Sequence, residues 1–256
     1  MKAIQATVQL VGAGPGDPEL LTIKAVRAIR AATVLLVDDL VGDGVLRYAR
    51  KSARIVHVGK RGGCASTPQA FIERLMLAEA LRGERVVRLK GGDPMLFGRS
   101  GEEIAHLQAH GVQVEVINGI TSGLAAVTSL GVSLTHREHA HGVMFVTGHA
   151  RSEDSTLHWP TLAACAAQGI TLVIYMGIAT VDALQAGLLH SLAARTPVAV
   201  VQHASLPQQR HLVCTLNDLA STVRMHGIGS PAIIVVGDVL HGLQSLTAEA
   251  VDALAA

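Results

Sequence analysis

Short apolar runs alternate with alanine- and leucine-rich stretches of helical length in the first half of the chain. Runs without a polar residue are typical of strands covered on both faces, and such strands belong to parallel sheets between helical layers. Strands are predicted at Thr7–Val11, Val34–Val37, Ile55–Val58, Arg85–Leu89 and Val114–Ile117. Helices are predicted at Glu19–Ala31, Pro68–Arg82, Gly101–Ala109 and from about Thr121, where Thr121 or Ser122 can supply a capping oxygen. The pattern predicts an α/β fold with a mainly parallel first sheet.

A polar segment from His136 to Gly142 interrupts this pattern, which then starts again. The strand predicted near Arg210–Thr215 follows its predecessor without room for a helix, so we expect a mixed second sheet. The other strands are predicted near Val143–Thr147, Thr171–Tyr175, Val198–Gln202 and Ala232–Val236, with helices around Leu157–Gln168, Val181–Leu192 and Leu216–Val223. The polar segment suits a linker, and we predict two α/β domains, residues 1–137 and residues 143–256.

Composition and charge exclude several classes of function. The 21 Lys and Arg residues nearly balance the 20 Asp and Glu residues, and aromatic residues make up 2% of the chain, which argues against nucleic-acid binding. The longest uncharged segments, Val116–Thr135 and Thr161–Val181, are interrupted by glycine and polar residues. We therefore expect a soluble protein that does not enter a membrane. Three distant cysteines, Cys64, Cys165 and Cys214, suit a reducing cytoplasm.

The first predicted strand leads into a glycine-rich loop, Gly12-Ala-Gly-Pro-Gly-Asp17. The dinucleotide fingerprint G-x-G-x-x-G fails here because its sixth position is Asp17. Asp17 and Glu19 would also repel an approaching anion. NAD or FAD is therefore disfavoured, although Asp38 at the end of the next strand could imitate the acidic residue that binds ribose. A turn that needs glycine for its backbone geometry alone remains an alternative.

A second glycine loop, Lys90-Gly91-Gly92-Asp93-Pro94, ends the fourth predicted strand. Two glycines would let a ligand lie against bare backbone, and Asp93 can accept hydrogen bonds from hydroxyl groups. The phosphate-binding pattern G-x-x-x-x-G-K-[ST] is absent, so the loop favours a hydroxylated ligand of low negative charge, such as a nucleoside. Lys60 and Arg61 place two cations at another strand end, the edge where ligands of open α/β sheets bind.

Eight motifs occur along the chain in the order VGAGPGDPELLT, DDLV, VGKRGG, VVRLKGGDPMLFGRSGEE, NGITSG, LTHR, TGH and YMG. In these motifs, from about Val11 to Val239, the chain resembles the uroporphyrinogen-III C-methyltransferases. These are S-adenosylmethionine-dependent enzymes of the tetrapyrrole (class III) methyltransferase fold. The resemblance implies a cofactor cleft between two α/β domains and a homodimer. It also implies transfer of two methyl groups to C2 and C7 of uroporphyrinogen III, which gives precorrin-2 for sirohaem or cobalamin.

The same resemblance implies roles for individual residues. Asp38 matches the family's proton acceptor, and Lys60 matches its proton donor. Ala204 stands where the family has a glycine, so its added methyl group weakens the expected backbone contact. The residues expected at the cofactor are Pro15, Gly91, Gly92, Asp93, Leu96, Thr121, Ser122, Met176 and Ala204.

Substrate contacts follow from the chemistry of a macrocycle rich in carboxylates. The cations that we expect to pair with those carboxylates, besides Lys60, are Arg61, Arg99 and Arg137. Arg88 is equally available, or it faces a structural partner inside a buried strand. Methyl transfer places positive charge on a pyrrole nitrogen, which a nearby carboxylate would stabilise. Asp38 fits that role, and the alternative is a solvated loop carboxylate.

Two further departures from the family pattern affect the site. Asp39 replaces an arginine that would suit substrate carboxylates, and Asn118 replaces a proline before Gly-Ile-Thr. We expect Asn118 to loosen that turn while its backbone amides are kept.

The histidine spacing His136-x-x-His139-x-His141 lacks a recognised metal-ligand pattern, so we predict no metal site. Three alternative functions remain open. They are a later corrin-ring methyltransferase, a nicotinamide-dependent oxidoreductase, and a tetrapyrrole-binding module without catalysis.

Overall fold

The computed structural model describes residues 6–59, 67–148 and 157–243 of the chain. These residues form two five-stranded sheets, which confirms the predicted α/β fold. The chain divides into two compact units between Ser122 and Gly123. This division lies at the first residue of a helix. The domain bounds expected from the sequence, residues 1–137 and 143–256, were instead placed at the polar segment near residue 140.

The strands of the first sheet are β1 (Thr7–Gly12), β2 (Val34–Val37), β3 (Arg54–His57), β4 (Val86–Lys90) and β5 (Gln113–Ile117). The helices of this unit are α1 (Ile23–Ala31), α2 (Asp43–Leu46), α3 (Gln69–Leu81) and α4 (Ser100–Ala109). The strand order is β3-β2-β4-β1-β5, and all the strand pairs are parallel. Neighbouring residues of β2 show why the strands of this sheet are unbroken apolar runs. Leu35 packs in a cluster that includes helix α1, and Leu36 packs on the other face with helices α3 and α4.

The first helix begins later than its sequence pattern predicts. Asp17 caps a separate 3₁₀ turn at Pro18–Leu20, where its Oδ1 accepts from the Glu19 amide at 2.8 Å. The chain is then extended at Leu21 and Thr22, and the Thr22 hydroxyl caps α1 by accepting from the Ala25 amide at 3.1 Å. Two polar caps in succession therefore divide a stretch that was predicted as one helix.

The strands of the second sheet are β6 (Gly142–Thr147), β7 (Ile170–Tyr175), β8 (Pro197–Gln202), β9 (Arg210–Thr215) and β10 (Ala232–Val236). The helices of this part of the chain are α5 (Ser122–Ser129), α6 (Trp159–Ala167), α7 (Val181–Leu188) and α8 (Leu219–Met225). The strand order is β6-β7-β10-β8-β9, and the sheet is mixed, as predicted. Strand β6 runs parallel to β7, whereas β10 is antiparallel to both β7 and β8, and β9 is antiparallel to β8.

The polar segment that was expected to be a linker is structured. His136 and Ala140 exchange backbone hydrogen bonds of 2.8 and 3.0 Å, which close a short hairpin. The Thr171 hydroxyl donates to the Leu134 carbonyl, and the His141 amide donates to Gly169. The segment is therefore fixed to the second sheet. Across the three described ranges, no helix combines the length and the apolar character needed to cross a membrane.

Candidate active site

Four loops follow strands β1, β2, β4 and β5, and parallel pairing places these loops at one edge of the first sheet. Most of the residues predicted from the sequence lie in these loops, and all of them are buried or half-buried. They are Pro15, Asp38, Gly91, Gly92, Asp93, Leu96, Thr121 and Ser122. The fold therefore brings residues that are up to 107 positions apart to the same edge.

The glycines of this edge allow the four loops to touch one another. Gly14 and Gly92 exchange backbone hydrogen bonds of 3.2 and 2.7 Å. A Cβ atom on Gly12 would lie 2.5 Å from the Gly119 nitrogen, and one on Gly119 would lie 2.3 Å from the Gly92 oxygen. A Cβ atom on Gly91 would lie 2.7 Å from the Leu40 Cβ. Loop-to-loop packing therefore requires several glycines that the sequence alone relates to ligand approach.

The side chain of Asp93, in the loop after β4, holds that loop against the loop after β5. Its Oδ1 accepts from the Met95 amide at 2.8 Å, and its Oδ2 accepts from the Asn118 side-chain amide at 3.0 Å and the Gly119 amide at 3.1 Å. Asn118, which we expect to loosen the turn before Gly-Ile-Thr, uses its side-chain amide to connect the two loops through Asp93. An ionised carboxylate has about four acceptor positions, so one remains for a ligand hydroxyl.

Asp38 lies at the end of β2, where its amide donates to the Leu89 carbonyl at 3.1 Å. Its Oδ1 is 3.6 Å from the Nη2 nitrogen of Arg88, and its side chain is 37% exposed. Arg88 and Lys90 are buried and both pair with Glu103 of α4, at 3.2 and 2.8 Å. Of the two alternatives for Arg88, the structure supports the structural partner.

Burial in this cluster lowers the pKa of the Lys90 ammonium, and the Glu103 carboxylate opposes that shift. Sequence reasoning missed Lys90 and Glu103 as members of the site. Two cations inside the buried strand Val-Val-Arg-Leu-Lys were a usable signal, because charges in such a strand need a buried partner of opposite sign.

Five non-glycine residues of the described chain have left-handed backbone, and each follows a strand. Phe97 and Arg99 (both φ 55°) lie in the loop after β4, and Met176 (φ 55°) follows β7. His203 (φ 53°) and Ser205 (φ 70°) follow β8 and flank Ala204. Such strained residues concentrate at functional sites. Their positions coincide with the loops singled out by sequence, although backbone strain itself was not predicted.

Within the second unit, Met176 and Ala204 lie in loops after strands that run in the same direction, since both β7 and β8 are antiparallel to β10. Met176 is exposed and Ala204 is buried. Tyr175, which precedes Met176, accepts the Gly123 amide of α5 on its hydroxyl at 2.9 Å. Tyr175 was also missed, since nothing local in the sequence relates it to that helix.

The predicted substrate cations have different positions. Lys60 and Arg61 lie outside the described residues, as does Cys64. Arg99 makes two contacts with Glu102, at 2.9 and 2.5 Å, and this hydrogen bonding raises the pKa of the Arg99 guanidinium. Arg137 is exposed in the hairpin closed by His136 and Ala140.

The histidine-rich hairpin groups different residues from those that the spacing suggests. His136, Glu138 and His139 have possible ligand atoms within 4.8 Å of one another, and all three are exposed. The two histidine rings stack with centroids 4.0 Å apart. His141 is not part of this group.

Elsewhere, burial raises the pKa of the Cys214 thiol to about 11, so this thiol is protonated at neutral pH.

Two α/β units and a polar, glycine-lined edge of a parallel sheet define a class of ligand-binding α/β enzymes. Within this class, the chain belongs to the tetrapyrrole (corrin/porphyrin) methylases, because that family's profile matches residues 7–220. This confirms the resemblance read from the motifs.

Individual relatives agree with this assignment. The chain is 52% identical to a uroporphyrinogen-III C-methyltransferase of Pseudomonas aeruginosa over 93% of this chain and 96% of that protein. It is 44% identical to a siroheme synthase of Azotobacter vinelandii over 91% of this chain, but it spans only 50% of that longer protein. A solved uroporphyrin-III C-methyltransferase of Thermus thermophilus, in complex with S-adenosylhomocysteine, is 40% identical with a TM-score of 0.76. That alignment covers 91% of this chain and 98% of the Thermus chain.

Proposed function

We propose that this chain is an S-adenosylmethionine-dependent uroporphyrinogen-III C-methyltransferase. It adds methyl groups to C2 and C7 of the substrate and gives precorrin-2, for sirohaem or cobalamin synthesis. The observation that carries the proposal is the 52% identity to the Pseudomonas aeruginosa enzyme along nearly the full length of both chains. The Thermus thermophilus complex supports S-adenosylmethionine as the methyl donor, since S-adenosylhomocysteine is its spent form.

The strand-end loops of the first unit fit a nucleoside-bearing cofactor. The Asp93 carboxylate is held by three N–H groups and keeps an acceptor position for a ribose hydroxyl. Thr121 and Ser122 lie beside Gly92, since a Cβ atom there would be 3.7 to 3.8 Å from their atoms. Acidic residues such as Asp17 suit a ligand without phosphate. The residues that would hold the cofactor are Pro15, Gly91, Gly92, Asp93, Leu96, Thr121 and Ser122, with Met176 and Ala204 of the second unit.

S-adenosylmethionine supplies, when bound, an electrophilic methyl group on a sulfonium. The chain then has to align a pyrrole carbon with that group and stabilise the charge that develops on the ring. Asp38 would stabilise this positive charge and accept the proton that the macrocycle loses. Lys60 would act as the proton donor. The cations Arg61, Arg99 and Arg137 would bind the carboxylates, and Arg99 would exchange Glu102 for a substrate carboxylate.

The proposal includes a homodimer in the cytoplasm. A mean hydropathy of +0.39 is compatible with a buried apolar interface, and three widely spaced cysteines suit a reducing compartment. Light scattering of the purified chain tests whether it forms a homodimer, because the method separates the mass of a monomer from that of a dimer.

The decisive experiment incubates the protein with methyl-labelled S-adenosylmethionine and uroporphyrinogen III, followed by mass spectrometry of the product. Two added methyl groups are expected. No product from uroporphyrinogen III, together with a single methyl group added to a later corrin-ring substrate in a parallel incubation, would instead identify a corrin-ring methyltransferase. Binding of the macrocycle without methyl transfer would identify a non-catalytic module. Tight, saturable binding of a reduced nicotinamide would favour the oxidoreductase.

A further inference from the structure

Strand β4 carries two cations into the interior of the first unit. Arg88 and Lys90 are two residues apart, so their side chains leave the same face of the sheet. Their side chains are 3% and 4% exposed, and Glu103, which lies between them on α4, is fully buried. Burying three charges is unfavourable unless their geometry satisfies all of them. Stability of the fold alone therefore does not explain why these three charged side chains are buried together.

The Arg88 guanidinium is held on three sides. Its Nε donates to Glu103 Oε1 at 3.2 Å, and its Nη1 donates to the Leu89 carbonyl at 3.2 Å. The remaining nitrogen, Nη2, faces Asp38 Oδ1 at 3.6 Å. Glu103 is fixed in turn by Lys90 Nζ at 2.8 Å and by the Gln69 amide at 3.3 Å. Because the fork is rigid, fixing two of its nitrogens also fixes the direction of the third.

Asp38 is the solvent-accessible end of this chain of charges, with a side chain that is 37% exposed. A second buried carboxylate in the same unit provides a contrast. Glu79 of α3 is also paired with two cations, Arg54 and Arg82, but their side chains are 51% and 67% exposed. The Glu79 group thus ends in solvent-exposed cations, whereas the Glu103 group ends in a single carboxylate at the ligand edge.

We propose that Arg88, held by Glu103, is a positioning residue that sets the orientation of Asp38 for methyl transfer. The inference rests on the proposed function and adds to it a residue that acts through Asp38. Arg88 itself has only 3% of its side chain exposed, and its nitrogens are engaged by the groups described above.

A double-mutant cycle between Arg88→Gln and Asp38→Asn tests the proposal. The readouts are kcat and KM for methyl transfer to uroporphyrinogen III, and the affinity for S-adenosylhomocysteine. Arg88→Gln should lower kcat roughly tenfold to a hundredfold, because a misplaced catalytic group loses rate to that extent. KM and the affinity should change little. In an Asp38→Asn background, Arg88→Gln should cost less than about threefold further, since two groups that act as a unit are not additive.

Two variants keep the test valid if Arg88→Gln does not fold. Arg88→Lys retains the charge but not the fork, so it should recover part of the lost kcat and show the same non-additivity. Glu79→Gln is the matched control, because it also removes a buried carboxylate that faces two cations. Its effect on kcat should stay within about twofold and should multiply with that of Asp38→Asn, as independent sites do.

Independent, multiplying effects of Arg88 and Asp38 would overturn the inference. So would an Arg88→Gln or Arg88→Lys enzyme that keeps full kcat and loses only thermal stability. These outcomes differ from a failure of the proposed function, in which the unmodified protein itself would form no methylated product from uroporphyrinogen III.

Discussion

Loops that follow helices and loops that follow strands use left-handed backbone differently in this protein. After α3, α4, α5 and α8, the left-handed residue is a glycine, namely Gly83, Gly111, Gly131 and Gly227. In each case its amide and the next one return to carbonyls of the last helical turn, as Gly83 and Glu84 do to Ala80 and Glu79. A Cβ atom on any of these four glycines would meet no other atom within 4 Å. These glycines are required by conformation alone.

In the loops after β4, β7 and β8, left-handed backbone is not confined to glycine, although Gly92 after β4 also adopts it. Phe97, Arg99, Met176, His203 and Ser205 adopt left-handed backbone without being glycine. Glycines at the strand ends, such as Gly12 and Gly119, are instead required by close approach of neighbouring backbone. At these helix ends, glycine lets the backbone adopt the left-handed conformation without strain. After the strands, the backbone of several residues is strained, and neighbouring loops pack closely. Strain of this kind persists only where surrounding structure imposes it, as at a binding site.

The largest expected effect comes from adding a methyl group where the strand-end loops meet. Gly119→Ala would place its Cβ 2.3 Å from the Gly92 oxygen, so the loops must separate. We expect a loss of about 3 kcal/mol in the free energy of unfolding, measured by denaturant titration, and loss of S-adenosylhomocysteine binding. Gly101→Ala is the control, because a Cβ atom there meets nothing within 4 Å. If Gly119→Ala behaved like Gly101→Ala, the packing account of this edge would be wrong.

An intermediate effect is expected from Asp93→Ala. The substitution removes the acceptor for three N–H groups, so unfolding should become easier by about 2 kcal/mol. Calorimetry should also find S-adenosylhomocysteine bound more than about tenfold more weakly, because a charged hydrogen-bond acceptor is lost. Asp182→Ala removes an exposed carboxylate paired with Arg224 and should change neither quantity measurably. Unchanged affinity in Asp93→Ala would remove Asp93 from the cofactor site.

The smallest effects are expected from a pair of substitutions, one in a loop that follows a strand and one in a loop that follows a helix. Met176→Gly relieves a left-handed residue whose side chain is exposed, so the free energy of unfolding should rise by about 0.5 kcal/mol. Gly227→Ala imposes the same strain at a helix end and should lower it by about 1 kcal/mol. Denaturant titrations of both variants test the signs. The affinity of Met176→Gly for S-adenosylhomocysteine should fall severalfold, and a gain in affinity would contradict a cofactor role for Met176.

Local signals were sufficient for most of the sheet. Strands β2, β9 and β10 coincide with their predicted bounds, since runs such as Val34–Val37 and Ala232–Val236 are buried on both faces. The short helix α2 (Asp43–Leu46) was not predicted, because four residues carry no readable periodicity. The α/β fold and the mixed second sheet followed from the spacing of strands and helices.

Most of the site chemistry depends on contacts between distant residues. Asn118 reaches Asp93 across 25 positions, and Gly123 reaches the Tyr175 hydroxyl across 52. No pattern within a loop encodes such pairs. Glu103 is an intermediate case, because the two cations of β4 demanded a buried anion, but only the packing of α4 on the sheet identifies which acidic residue supplies it.

We expect the strand-end loops of the first unit to bind the nucleoside of a methyl donor. Crystals of the protein soaked with S-adenosylhomocysteine provide the test. Electron density should show a ribose hydroxyl within hydrogen-bonding distance of the Asp93 carboxylate, beside Gly92 and Ser122. Density at another edge of the sheet, or crystals that remain free of the ligand at saturating concentration, would contradict it.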